Sequence, residues 1–197
     1  VPKKKSAKRT ARRFSDTTLD LDRFCDDIVG SKLDDQWKTW AVEAALIKLA
    51  VGFERLMLDA LVAAVNNDTA QISNTTGVQF PKHLTDEVCE YIVTGGGYFD
   101  FRGRSGLISL LKRYLPTDHY LVVTVKWPRY KRALENLIAL RNFAAHESAQ
   151  SKRRAKDALG VSNLSSAGAW LKRQDRFRHL SKDLRDLSNE IEQAAPY

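Results

Sequence analysis

Apolar residues recur at helical spacing through most of the chain and at strand spacing almost nowhere. The longest such run predicts a helix over Leu33–Asn67. There Trp37, Trp40, Ala44, Ile47, Val51, Phe53, Leu56, Leu58, Leu61 and Val65 form a broad apolar surface. Asp34 and Asp35 favour its start through the helix macrodipole. A face this wide implies burial on two sides, against a bundle and against a second subunit. A second periodic stretch runs from Trp127 to about Ala158, with Leu134, Leu137, Ile138 and Leu140 on one side, and Gly160 ends it. Ser162-Asn163 opens a last helical region whose apolar face is Leu164, Trp170, Leu171, Phe177, Leu180, Leu184, Leu187 and Ile191. Near the start, Ser15-Asp16-Thr17-Thr18 reads as the entry to a short helix that carries Leu19, Phe24 and Ile28 and stops at Gly30.

The stretch 66–116 reads as an insertion between two main helices. Asn66–Phe80 is a polar loop in this reading. Thr85-Asp86-Glu87 starts a short helix to about Val93, Gly95-Gly96-Gly97 breaks it, and Leu107, Ile108, Leu110 and Leu111 mark another that Pro116 stops. Leu121-Val122-Val123-Thr124-Val125 is the only strand-like run. It is too isolated for a sheet and predicts an extended segment or a helix lead-in. The expected fold is all-α, a bundle of four or more helices forming one domain over 15–197.

Charge changes the picture at one end. The formal net charge is +8, which favours a polyanionic partner. Lys3, Lys4, Lys5, Lys8, Arg9, Arg12 and Arg13 stand without an acid in Val1–Arg13. Residues 1–14 therefore predict a disordered basic tail, either solvated or an RNA-contacting arm that uses Lys3, Lys4 and Lys5. The two cysteines make neither a disulfide framework nor a metal signature, so a reducing cytoplasm is the simplest compartment. No apolar run reaches the roughly 18 residues of a membrane span, and no signal peptide is visible. Neither a His-Glu-x-x-His zinc pattern, a Gly-x-Ser-x-Gly elbow nor a phosphate-binding loop is present, and no cofactor is expected.

The chemistry concentrates in Arg141-Asn142-Phe143-Ala144-Ala145-His146-Glu147. Arg141 lies seven residues after Leu134 and four after Leu137, so it continues the apolar stripe of its helix. A permanent cation there needs a reason, because an unpaired buried charge is costly. Glu54 and Asp59 are candidate partners for it within the bundle. Asn142 and His146 are four apart and share a face. Arg141 and His146 are about 140° apart on an ideal helix, so one helix cannot close both on a small target, whereas two crossing helices can.

Arg141, Asn142 and His146 resemble the signature of the HEPN superfamily, whose ribonuclease members carry Arg, a polar residue, and His a few positions on. Two other Arg-to-His spacings fit less well: Arg113 to His119 spans Pro116, and Arg173 is followed by Gln174. The resemblance implies a helical homodimer with a composite site for metal-independent cleavage of RNA. Arg141 would bind the phosphate, His146 would move protons, and Asn142, supported by Glu147, would orient them. Lys152, Arg153 and Arg154 would add RNA contacts beyond the site, or simply complement a helix end. Some members pair with an antitoxin or another partner protein, and a toxin or defence role is implied on that basis. Those paired with nucleotidyltransferases carry Tyr two residues after the His; Ser148 stands there in this chain. A catalytically silent member that binds nucleic acid through the same basic cleft is the alternative.

Overall fold

The computed structural model describes residues 4–196, and every regular element among them is helical. The helices are α1 (Ala7–Gly30), α2 (Asp35–Asn67), α3 (Ala70–Thr76), α4 (Asp86–Thr94), α5 (Gly103–Tyr114), α6 (Tyr120–Lys126), α7 (Lys131–His146), α8 (Ala149–Leu159), α9 (Ala167–Leu171) and α10 (Arg176–Ala194). A 3₁₀ turn at Pro128–Tyr130 precedes α7. The chain forms two compact units, interleaved in sequence. The first takes the described residues of 1–14, 54–128 and 187–197; the second takes 15–53 and 129–186. The expected division, a tail followed by one domain with 66–116 inserted, does not coincide with this one.

In the first unit α2 is buried on all sides from Leu56 to Asn66, which explains its continuous apolar run. Asp86, at the start of α4, accepts from Asn66 Nδ2 at 2.7 Å and from the backbone N–H of Lys5 at 2.6 Å. Tyr114 of α5 donates its hydroxyl to the Ile92 carbonyl of α4 at 3.1 Å, and α5 packs against α3 and α6. His119 caps α6, its Nδ1 accepting from Leu121 N–H at 3.2 Å.

Two expectations are corrected here, and of the two readings of 121–125, extended or leading into a helix, the helical one holds. Residues 7–14 are not a disordered tail: α1 begins at Ala7, and Ala7, Ala11 and Phe14 are buried. Their i, i+4, i+7 spacing supplies an apolar stripe that the surrounding cations obscure. The polar stretch after Asn67 holds α3, which closes on the left-handed Gly77. Leu121–Val125 is helical because Leu121, Val122 and Val125 are all needed in the core; burial overrides β-propensity there.

In the second unit α9 meets α2 at very close range. A Cβ on Gly168 would lie 2.2 Å from the Thr39 carbonyl oxygen. Gly168 N–H donates to Glu43 Oε1 at 2.9 Å, and the buried Lys172 ammonium donates to Thr39 Oγ1 at 2.8 Å while pairing with Asp35 at 2.6 Å. Arg185 of α10 bridges to Asp22 and Thr18 of α1 at 2.9 and 3.1 Å. The outer side of α2 keeps an apolar stripe in solvent: Trp37 and Trp40 are 58% and 56% exposed, with Ala44 and Val51 following at helical spacing.

Candidate functional site

The helix that carries the motif is shorter than its apolar pattern suggests. α7 buries Ala133, Leu134, Leu137, Leu140 and Phe143, and it ends at His146. Glu147 adopts φ 45°, ψ 21°, and its N–H returns to the Phe143 carbonyl at 2.9 Å. A left-handed residue is a common helix stop, but glycine is the usual occupant. Ser148 then caps α8: its Oγ accepts from Ser151 N–H at 3.1 Å, while Ser151 Oγ accepts from Ser148 N–H at 3.1 Å. This reciprocal box starts a new helix. The single helix expected over 127–158 is therefore two, α7 and α8, packed against one another.

The break builds a cleft of about 380 Å³ from the last turns of α7 and the first of α8. Asn142 and His146 line it from α7, one turn apart on the same face. Ser148, Gln150, Ser151 and Arg154 line it from the cap and α8. His146 is exposed and Asn142 is half-buried. Arg141 is half-buried and does not line the cleft; its Nη1 donates to Asn142 Oδ1 at 3.0 Å, which ties it to the cleft indirectly. Asp59, one candidate partner for Arg141, holds Lys5 at 2.9 Å and Arg55 at 3.1 Å in the first unit.

The other expected RNA-contacting residues divide. Arg154 joins the cleft, whereas Lys152 and Arg153 are exposed on α8 without lining it. Three successive positions on a helix point about 100° apart, so one face cannot take all three. Glu147 is exposed and serves as the α7 stop. Lys3 lies outside the described residues. Lys4 is exposed. Lys5 is engaged within its own unit by Asp59 and Glu90. Desolvation works against its charge, but the two carboxylates outweigh it and leave its pKa raised. Lys5 is thus a structural cation rather than a free RNA contact.

Of the competing spacings, Arg113 and His119 belong to different helices, and His119 is the α6 cap. Arg173 stands in the break between α9 and α10, so it shares no helix with His179. Sequence reasoning missed Ser148, Gln150 and Ser151; the signal available for two of them was the Ser-x-x-Ser spacing of the capping box.

No family model, curated protein or solved structure matches this chain.

Proposed function

We propose that this chain is a metal-independent endoribonuclease of the HEPN type, which cleaves RNA through its own 2′-hydroxyl. The observation that carries the reading is the convergence of Asn142, His146 and Arg154 on one open cleft, with Arg141 bonded to Asn142 behind it. An imidazole, an amide and cations suit this chemistry. The imidazole takes the 2′-proton or delivers one to the departing 5′-oxygen, and the cations oppose the charge that grows on the phosphate. A second copy would supply the second imidazole, so that one His146 acts as base and the other as acid. The exposed stripe of Trp37, Trp40 and Val51 on α2 supports a self-associating chain. A toxin or defence role, with an antitoxin as partner, belongs to the same proposal.

One observation favours a second reading, a catalytically silent RNA-binding protein: Arg141 does not line the cleft. A cleavage assay separates the two. Wild-type protein in chelator is expected to cut single-stranded or looped RNA to 2′,3′-cyclic phosphate ends. His146→Ala is expected to lose 10²–10⁴-fold in rate, the usual worth of general acid–base catalysis, while binding RNA as before. RNA bound but uncut by the wild type would establish the silent reading.

A further inference from the structure

A second cleft in the same unit, of about 290 Å³, lies along α7, α9 and the first turns of α10. Arg132 and Asn136 of α7, Trp170 of α9, and Arg176, His179 and Asp183 of α10 line it. None of these residues belongs to the His146 cleft.

Arg176 is held in place before any ligand arrives. Its guanidinium carbon sits 4.5 Å from the centroid of the Trp170 ring, and Nη1 donates to the Trp170 carbonyl at 3.3 Å. Nη2 donates to Gln174 Oε1. The turn that delivers it is unusual: Gln174 and Asp175, both non-glycine, adopt φ 55° and 52° in succession. Left-handed residues of this kind persist where the surrounding structure dictates them.

Asn136 supplies an independent observation. It is 8% exposed, and its Oδ1 is buried and meets no donor among the described residues. A buried acceptor without a donor is rare, and this one belongs to a side chain that lines the cleft. A ligand that brings an N–H or O–H would satisfy it. Two guanidiniums against one carboxylate leave the cleft net cationic, which favours an anion, and guanidinium forks match phosphate oxygens. Leu140 and Leu180 add an apolar wall for a flat group. The volume lies at the lower end of ligand pockets, so it suits one nucleotide-sized unit and no more.

We propose that this cleft binds a small phosphomonoester with a flat, hydrogen-bond-donating head group, of which a nucleoside monophosphate is the simplest example. Arg132, Arg176 and His179 hold the phosphate, and Asn136 and Asp183 accept from the head group. The assignment rests on this cleft alone and does not depend on whether the His146 cleft cleaves RNA.

Titration calorimetry on the full chain tests it, with adenosine 5′-monophosphate, adenosine, ribose 5-phosphate and inorganic phosphate as separate probes. The monophosphate is expected to bind at least tenfold tighter than each of the other three. Arg132→Ala, at an exposed position, and Asn136→Leu, which keeps the branching of the side chain but removes its polar atoms, are each expected to weaken it at least tenfold. His146→Ala is expected to bind as the wild type does. Equal binding of adenosine or of inorganic phosphate would overturn the assignment. So would wild-type affinity in Arg132→Ala, or loss of binding in His146→Ala, which would put the ligand in the other cleft. Arg132→Ala decides the matter if Asn136→Leu does not fold.

Discussion

Nη1 of Arg141 donates to Oδ1 of Asn142 at 3.0 Å. A guanidinium can only donate, so the contact fixes which end of the amide is which: the oxygen is turned to Arg141 and the NH₂ group is left for another acceptor. Asn142 lines the cleft that His146 also lines. Arg141 therefore meets the cleft through its neighbour and does not line it.

Asn142→Asp keeps the acceptor for Arg141 but removes the NH₂ donors, while Arg141→Lys keeps the charge but loses the fork. Under the ribonuclease reading both are expected to slow single-turnover RNA cleavage by about 10²-fold, comparable to the loss of one positioned donor. Wild-type turnover in Asn142→Asp would show that the amide hydrogens have no part in the reaction.

The proposed dimer is expected to form on the exposed stripe of Trp37 and Trp40. Light scattering at micromolar concentration is expected to give twice the chain mass, and Trp37→Glu with Trp40→Glu to give the single mass, since a carboxylate on the exposed stripe cannot be covered without cost. A monomeric wild type that still cleaves RNA would eliminate the two-histidine scheme.

Gly168→Ala is expected to destabilise the protein by about 1–3 kcal/mol, the usual scale of overpacking, because the added methyl meets the Thr39 carbonyl at 2.2 Å. Chemical denaturation measures it directly. A neutral result would mean that α9 can lift off α2 freely.

His119 caps α6 through a ring nitrogen that must be unprotonated to accept from Leu121. Burial lowers its pKa against the opposing pull of Asp118 and Asp68. A depressed folded-state value means that the cap's stabilisation is present above the ordinary histidine value of 6.5 and is lost as pH falls through the folded one. His119→Asn, which keeps an acceptor, is expected to flatten this acid-side loss in a series of thermal melts. His119→Ala is expected to cost about 1 kcal/mol near neutral pH. An unchanged acid slope in His119→Asn would assign the titration to another group.

Both cysteines are buried thiols. Burial, helped by Asp22 and Asp26, pushes Cys25 up to about 12, and burial, with Asp86, pushes Cys89 up to about 11. A thiol reagent at pH 8 is expected to label neither in the native protein and both after denaturation, since the thiolate is the reactive form. The raised values also mean that their contribution is intact below about pH 9, the unfolded-state thiol range, and declines above it. Rapid native labelling of Cys25 would contradict its burial.

Much of the helical layout was readable from the periodicity of apolar residues, and so were the stops marked by Gly30, Gly95, Pro116 and Gly160, but two interruptions were not. α2 was expected to start at Leu33 and starts at Asp35, because nothing inside it competes with a helix. The stop at Glu147 and the turn at Gln174-Asp175 place non-glycine residues in the left-handed region, where composition gives no warning. The start of α1 was hidden for another reason: Ala7, Ala11 and Phe14 form a narrow stripe in a segment whose charge count suggested disorder. The same split applies to the site. Asn142 and His146 share a face by their four-residue spacing, which sequence shows. Arg154 reaches them only because the chain breaks at Glu147 and α8 packs on α7, which depends on tertiary structure.

The approach of α9 to α2 at Gly168 has a consequence for finding this protein's kin. A chain that folds this way can exchange most of its apolar side chains for others of similar bulk, and its sequence can drift past recognition. It cannot place a side chain at Gly168 without parting the two backbones. A distant relative is therefore better sought by a lone glycine in a short helix, set opposite a Thr-x₃-Glu pair like Thr39 and Glu43 on a long one, than by overall likeness.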